Sequence, residues 1–368
     1  MSRLLVNIYF GYSLVIGITS QRMVDRKFKS TFFTRLYALF SNITTLVFLP
    51  IVMWYTSLSF EAKHKVPQLI YITFNVKSVV SYVLILYTIL SRGFRDTAIR
   101  EIQPLIEKLF VEEKHCVWAG GKKPCIRQSL RIILYVKYLA LAYLCFTEAI
   151  LLFYSNKEIT WLTIANFVFL SNAYNIQEMV PMGFFLALWH IARGFDYVNR
   201  RLDEIITSKD SRNLKEVRRL WLLHAELTKS ALRVNKIYGP QMLANRFNNF
   251  VFGVIQAYWG AFFTFEKSTS FYWVVYGSVG YLIRSLDFYL VDYMCDLVVR
   301  YQGSAKHAWS ESRWTKEISS YVTYASSSKL ELWTCGLFPV NRSLWFDMIT
   351  SILYYILMLL QFHIVIGK

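Results

Sequence analysis

The chain has 368 residues, of which 55% are apolar and 17% aromatic, and only 18% are charged, against about 25% charged in an ordinary soluble protein. With a mean hydropathy of +0.33, this composition excludes a pair of soluble domains, a disordered chain and a collagen-like one, and leaves an all-α, polytopic membrane protein. The net charge of +17 points to basic residues gathered beside anionic headgroups rather than to nucleic acid, because no basic stretch carries a nucleic-acid motif.

In chain order, the first apolar piece is Leu4–Ser20, followed rather than preceded by charges at Arg22, Asp25, Arg26 and Lys27. A signal peptide has its charges first and a small-residue cleavage site after the apolar run. The piece is therefore expected as an amphipathic or re-entrant helix on the inner surface. Seven apolar runs follow: Leu36–Ser57, Gln68–Ser91, Arg131–Tyr154, Leu162–Ala192, Gln241–Phe265, Phe271–Cys295 and Leu344–Ile366. Each has the roughly 20 residues needed to cross ~30 Å of hydrocarbon. Between the fourth and fifth, apolar residues recur at Leu202, Ile205 and Ile206, then at Leu214, Val217, Leu220, Trp221, His224 and Leu227. That period predicts an amphipathic helical stalk continuing both spans, with Asp210 and Ser211 as an N-cap between its two runs.

The charges set the orientation. Segments 1–35, 92–130, 193–240 and 296–343 carry 31 of the lysines and arginines, whereas the connections on the opposite side carry 5. The positive side is cytosolic, so the N-terminus is inside and, after seven spans, the C-terminus outside. A G-protein-coupled receptor runs the other way. The outer connections, about ten, seven and five residues long, leave no outer domain. The expected organisation is a cytosolic segment with an interfacial helix (1–35), a six-span domain with cytosolic helical extensions (36–295), a cytosolic anchor segment (296–343) and a last span (344–368).

Catalysis has no positive support. There is no phosphate loop, GxSxG or HExxH, and the six histidines lack metal-ligand spacing, so neither enzyme, cofactor nor metal is indicated. No structural disulfide is expected: Cys116, Cys125 and Cys335 fall on the reducing side, Cys295 at its boundary and Cys145 within a span. The sequons at Asn42 and Asn341 fall in a span and in the cytosol, and neither should be glycosylated.

Charges at bilayer depth cost about 2.5–3.5 kcal/mol each and call for partners. Arg284 and Asp287 lie three apart on span six and are expected to pair within one helix. Lys77 in span two and Glu178 in span four are expected to couple across helices. Glu148, in the outer half of span three, faces a ligand or else reaches outward. Small-molecule sites are apolar clefts with a few convergent polar groups. By that criterion Glu148, Asn172, Gln256, Trp259 and Tyr276 are the candidate ligand-binding residues among the aromatics and amides of the outer halves. They suit a flat, semi-polar compound better than a sugar.

The stretch Cys335-Gly336-Leu337-Phe338-Pro339, followed by Tyr355, the apolar run Ile356–Leu360 and Gln361-Phe362, resembles the end of the insect gustatory receptor family. Members read Gly-Leu-Phe and then Thr-Tyr, five apolar residues and Gln-Phe; Tyr354 stands here at the Thr position. Asn235–Leu243 is similar to the family's lead into span five. The resemblance implies a ligand-gated cation channel subunit of a sensory-neuron plasma membrane. Four copies, of itself or of other gustatory receptor subunits, would join around a pore lined by the last helix, with a pocket for a small-molecule tastant and a cytosolic helical anchor. In that setting Tyr354, Met358, Gln361 and Val365 share one face of the last helix. With Phe362 they are the candidate pore or gate residues. A mostly apolar ring with one amide is expected to pass cations with weak discrimination; a helix–helix hydrogen bond is the other role open to Gln361. The expected ligand is a bitter or other plant-derived compound. Two rivals are a partner subunit that binds no ligand and a membrane transporter.

Overall fold

The computed structural model describes residues 2–24, 27–63, 67–118, 127–154, 160–208, 214–265, 271–310, 324 and 330–366. Nine helices are described: α1 (Ser2–Val15), α2 (Phe32–Lys63), α3 (Gln68–Leu90), α4 (Arg92–Trp118), α5 (Gln128–Tyr154), α6 (Trp161–Ser208), α7 (Leu214–Phe265), α8 (Phe271–Ser310) and α9 (Arg342–Ile366). Two short antiparallel hairpins join them, β1 (Arg22–Val24) with β2 (Lys27–Lys29) and β3 (Trp333–Thr334) with β4 (Phe338–Pro339). Each of the seven apolar runs falls in one of α2, α3 and α5 to α9, because a long apolar segment can satisfy its own backbone only as a helix.

Among the described residues, four helical stretches are long and apolar enough to cross a membrane: Phe32–Leu58, Gln68–Leu90, Gln128–Thr147 and Arg342–Val365. The other three runs, in α6, α7 and α8, are diluted by polar side chains that face one another inside the bundle. α6 is the centre of the molecule. From Ala173 to Val198 nearly every residue is buried, against α5, α7 and α8. α6 has 48 residues and α7 has 52; at ~1.5 Å per residue each exceeds twice the ~30 Å hydrocarbon thickness.

The C-terminal half of α6 and the N-terminal half of α7 run as helix through the stretch read as a stalk. Leu202, Val217, Leu220, Leu223, His224 and Leu227 are buried, while the Asp210–Ser211 cap lies outside the described residues. His224 sits edge-on to Phe195 at 5.0 Å and beside the Gln302 carbonyl at 3.3 Å. α4 completes this layer within 92–130, which was expected as a basic connection. Its Ala98, Ile102, Leu105 and Leu109 are buried at helical spacing. Gly194 makes the three-helix contact close: a Cβ there would lie 2.6 Å from Leu227 Cδ2 and 3.1 Å from Leu109 Cδ1. Gly194→Val should cost about 1–3 kcal/mol by overpacking, read as a lower unfolding midpoint of the detergent-solubilised protein; an unchanged midpoint would show that the contact is loose.

α1 packs into the protein with one side. Val6, Tyr9 and Phe10 are buried, the Tyr9 hydroxyl donates to the Met179 carbonyl at 3.1 Å, and the Tyr138 hydroxyl donates to the Leu5 carbonyl at 2.8 Å. Burial pushes the Tyr9 phenol up to about 12, so it stays a neutral donor.

Candidate functional site

α8 carries Arg284, Asp287 and Asp292 on one side, and each turns to a different helix. Arg284 Nη1 meets Glu178 Oε1 of α6 at 2.6 Å. Asp287 Oδ2 accepts from Lys137 Nζ of α5 at 2.6 Å, and the Asp287 carbonyl accepts from the same ammonium at 2.9 Å. Asp292 takes both Nη atoms of Arg246 on α7, at 2.6 and 3.1 Å. The expected pairing of Arg284 with Asp287 within α8 is therefore corrected, and Glu178, expected to couple with Lys77, takes the Arg284 guanidinium. Side chains three apart on a helix point toward adjacent neighbours, and a buried charge takes the opposite charge on the helix it faces. Lys137 and Asp292 were not singled out in the sequence as partners. Beside this belt lies a cavity of about 10 Å³, lined by Gln177, Glu178, Asn245, Asn248, Arg284 and Asp287 among others, which is the scale of one water.

Lys77 has other surroundings. Its ammonium lies 4.3 Å from the Phe252 ring centroid, 5.7 Å from Trp259 and 5.9 Å from Tyr174, within the range of cation–π attraction. Phe252 also receives the Arg284 guanidinium at 4.1 Å, so one ring links the aromatic box to the charge belt. Trp259 stacks on Phe74 and donates from Nε1 to Thr73 Oγ1 at 3.0 Å.

The candidate ligand residues do not share one cavity. Trp259 belongs to the box around Lys77, and Gln256 lies between Phe252 and Trp259 on α7. Asn172 donates to Thr45 Oγ1 at 3.1 Å in the α2–α6 seam. Tyr276 donates to the Thr147 carbonyl at 2.6 Å in the α5–α8 seam. Glu148 follows Thr147 on α5, and its side chain lies outside the described residues. The sequence reading missed Tyr174, Phe252 and Thr73 as members of the box. The signal available was Lys77 itself, a cation in an apolar run that needs electron-rich neighbours.

α9 is held along one side and bare along the other. Asn341 Oδ1 caps it by accepting from the Leu344 N–H at 3.0 Å. Arg342 pairs with Asp296 at 2.7 Å, and Trp345 Nε1 donates to the Ser285 carbonyl at 3.2 Å. Ile352 is buried against Gly253, where a Cβ would come within 2.8 Å of Ile352 Cδ1. Near the far end, His363 Nδ1 sits 3.1 Å from the Tyr258 hydroxyl. The opposite side carries Tyr354, Met358 and Val365, exposed by 71%, 64% and 74%, together with exposed Gln361 and Phe362. This bare stripe includes all five candidate pore residues.

The segment entering α9 is the β3–β4 hairpin, turned by Cys335 and Gly336 at φ 51° and 73°. Gly336 suits that left-handed position because it lacks a Cβ. Asn235 Nδ2 donates to the Trp333 carbonyl at 2.8 Å, and a Cβ on Gly239 would lie 3.5 Å from the Cys335 nitrogen. The two stretches Asn235–Leu243 and Cys335–Pro339 thus meet in space. The Arg246 guanidinium, 5.8 Å from the Phe338 ring and paired with Asp292, ties the hairpin to α7 and α8. Cys145, Cys295 and Cys335 are free thiols.

A family model described as "7tm Chemosensory receptor" matches residues 6–366. A Drosophila erecta protein named "Putative gustatory receptor 59b" is 61% identical over 289 residues, which are 78% of this chain and 49% of that protein. The chain thus spans about half the length of the curated relative it matches. Among solved structures, the insect olfactory receptor OR5 of Machilis hrabei, alone and in complex with eugenol, superposes with a TM-score of 0.60. Its sequence identity is 14%, and 98% of each chain is covered.

Proposed function

The chain belongs to the 7tm chemosensory receptor family, and on that premise we propose that it is a gustatory receptor subunit, a ligand-gated, nonselective cation channel opened by a bitter or other plant-derived small molecule. In this reading seven helices, α2, α3 and α5 to α9, cross the plasma membrane of a sensory neuron with the N-terminus inside. Four subunits, identical or mixed, surround one pore. Residues 36–295 form the ligand-pocket domain, 296–343 contribute to the cytosolic anchor and 344–368 line the pore.

The observation that carries the reading is the bare stripe of α9. An apolar helix packed along Trp345, Ile352 and His363, with Tyr354, Met358, Gln361 and Val365 uncovered, is suited to face the same helix of other copies around an axis. Apolar rings close such a conduit by dewetting, and amide rings replace part of a cation's water. Ligand shifts the closed–open balance only by its differential affinity for the two arrangements. The aromatic box joined through Phe252 and Arg284 to the belt on α8, and from α8 to α9 through Asp296 and Arg342, supplies a physical route for that bias.

The test is calcium imaging of cells expressing this chain alone against a panel of plant compounds. The reading expects responses that survive G-protein block and that Trp259→Ala reduces at least tenfold in sensitivity. Unaltered responses in Trp259→Ala and in Phe252→Ala would remove the box as the ligand site. One observation favours the second reading, a partner subunit that binds no ligand: the box is filled by the protein's own Lys77 ammonium. Silence alone, with responses restored by a co-expressed family member and unaffected by Trp259→Ala, would select it.

A further inference from the structure

At the end of the bundle where α3 passes into α4, a 390 Å³ cavity is lined by Arg35, Arg92 and Arg100, with Ser20, Ser30, Gly93 and Asp96. None of the three arginines forms an ion pair among the described residues. Asp96, the acid in the lining, is already engaged. Its Oδ1 accepts from the Thr19 hydroxyl at 2.6 Å, and its Oδ2 accepts from the Ser20 hydroxyl at 2.6 Å and the Ser20 N–H at 3.2 Å. Arg35 spends Nε on the Ser30 hydroxyl and Arg100 spends Nε on the Asp96 carbonyl. Arg92 Nη1 is buried with no hydrogen-bond partner, an unmet donor that costs free energy until an acceptor arrives.

Guanidinium clusters with open Nη donors match phosphate oxygens in geometry as well as charge. The apolar residues that flank this lining in sequence select among phosphate sources. Phe32 and Phe33 at the start of α2, and Leu90 and Phe94 astride the α3–α4 turn, are all more than two-thirds exposed. A free phosphate gains nothing from these side chains, whereas an amphiphile gains by covering them. Its lining comes from residues 20–35 and 92–100, which belong to two of the segments rich in lysine and arginine, the kind of sequence that sits beside anionic lipid.

We propose that this cavity binds the phosphorylated headgroup of an anionic phospholipid, with Arg92 and Arg100 as its phosphate ligands, Arg35 adding charge, and acyl chains lying over Phe32, Phe33, Leu90 and Phe94. Occupancy would tether the α1–β1 segment and the start of α4 to the membrane. This site is separate from the tastant reading and stands whether or not the chain conducts ions.

The test is native mass spectrometry and thermal-shift titration of the purified full chain with dioctanoyl phosphatidylinositol 4,5-bisphosphate, dioctanoyl phosphatidylcholine, inositol 1,4,5-trisphosphate and inorganic phosphate. The bisphosphate lipid should bind at least tenfold more tightly than phosphatidylcholine and than either soluble anion, and added salt should weaken it. Arg100→Gln should weaken it about fivefold and Arg92→Gln with Arg100→Gln by more than tenfold, whereas Arg100→Lys, which keeps the charge but loses the planar fork, should weaken it less than Arg100→Gln does. Arg100 is exposed, so its variants report binding without a folding defect. Equal affinity for inositol trisphosphate would overturn the lipid source. Binding indifferent to Arg92 and Arg100, or phosphatidylcholine binding as tightly, would overturn the site.

Discussion

Asp287→Ala is expected to abolish surface delivery of the protein. The substitution strands the Lys137 ammonium, which has 0% exposed side-chain surface, between α5 and α8 without its carboxylate. Removing one member of a buried pair costs about 3–5 kcal/mol, a large part of the ~5–15 kcal/mol that holds a typical protein folded. Surface labelling of the expressed chain should fall below about a tenth of the native level, since a loss of even about 1–2 kcal/mol changes cellular abundance several-fold. Lys137→Met combined with Asp287→Leu should recover most of it, because replacing both charges by apolar side chains removes the desolvation cost as well as the attraction. The same logic applies to Arg246 and Asp292, where the cost would also reach the β3–β4 hairpin through Phe338. A single variant that labels and melts like the native chain would mean that Lys137 has another partner or stays hydrated.

The second large effect belongs to the last helix. On the proposed channel reading, Gln361→Arg should remove the cation current while leaving surface labelling unchanged. Gln361 is exposed on the bare stripe, so the guanidinium meets no packing obstacle within the subunit, and in a four-fold assembly four copies would set a positive ring across the conduit. A ring of that sign excludes cations, and whole-cell current should drop below about a tenth of native. Gln361→Glu is the matched control: it should keep the current and raise the relative permeability of divalent cations. Equal currents from Gln361→Arg and the native chain would take Gln361 out of the ion path and return it to a helix–helix hydrogen bond.

The apolar skeleton was legible in the sequence because a run of some 20 apolar residues has one solution for its backbone, the helix. Each run from Leu36 to Ile366 lies within a helix, allowing one residue at Ser91. The helix through the stretch read as a stalk was legible for a similar reason, since a stripe at helical period has to bury one face. α4 was not. Its buried Ile102, Leu105 and Leu109 are interleaved with charges and interrupted by Pro104, so its period is faint. Charge partners were the least legible feature. Spacing along α8 says that Arg284 and Asp287 are near each other, but not which helices stand on either side. Glu178 and Lys137 answer that only through tertiary packing. The box around Lys77 was hidden for the same reason, since its rings come from α6 and α7. The bare side of α9 was legible as a face, because residues three and four apart share one, and all five of its candidates are exposed.

Single cysteines introduced along α9 test the account most directly, in a background where exposed Cys335 is replaced by serine. During tastant-evoked current, a positively charged methanethiosulfonate reagent applied from outside should block channels with cysteine at 358, 361 or 365. It should leave current untouched with cysteine at Ile352 or Trp345, which pack against α7 and α8. Block from the packed positions, or none from the bare ones, would contradict a pore lined by this helix.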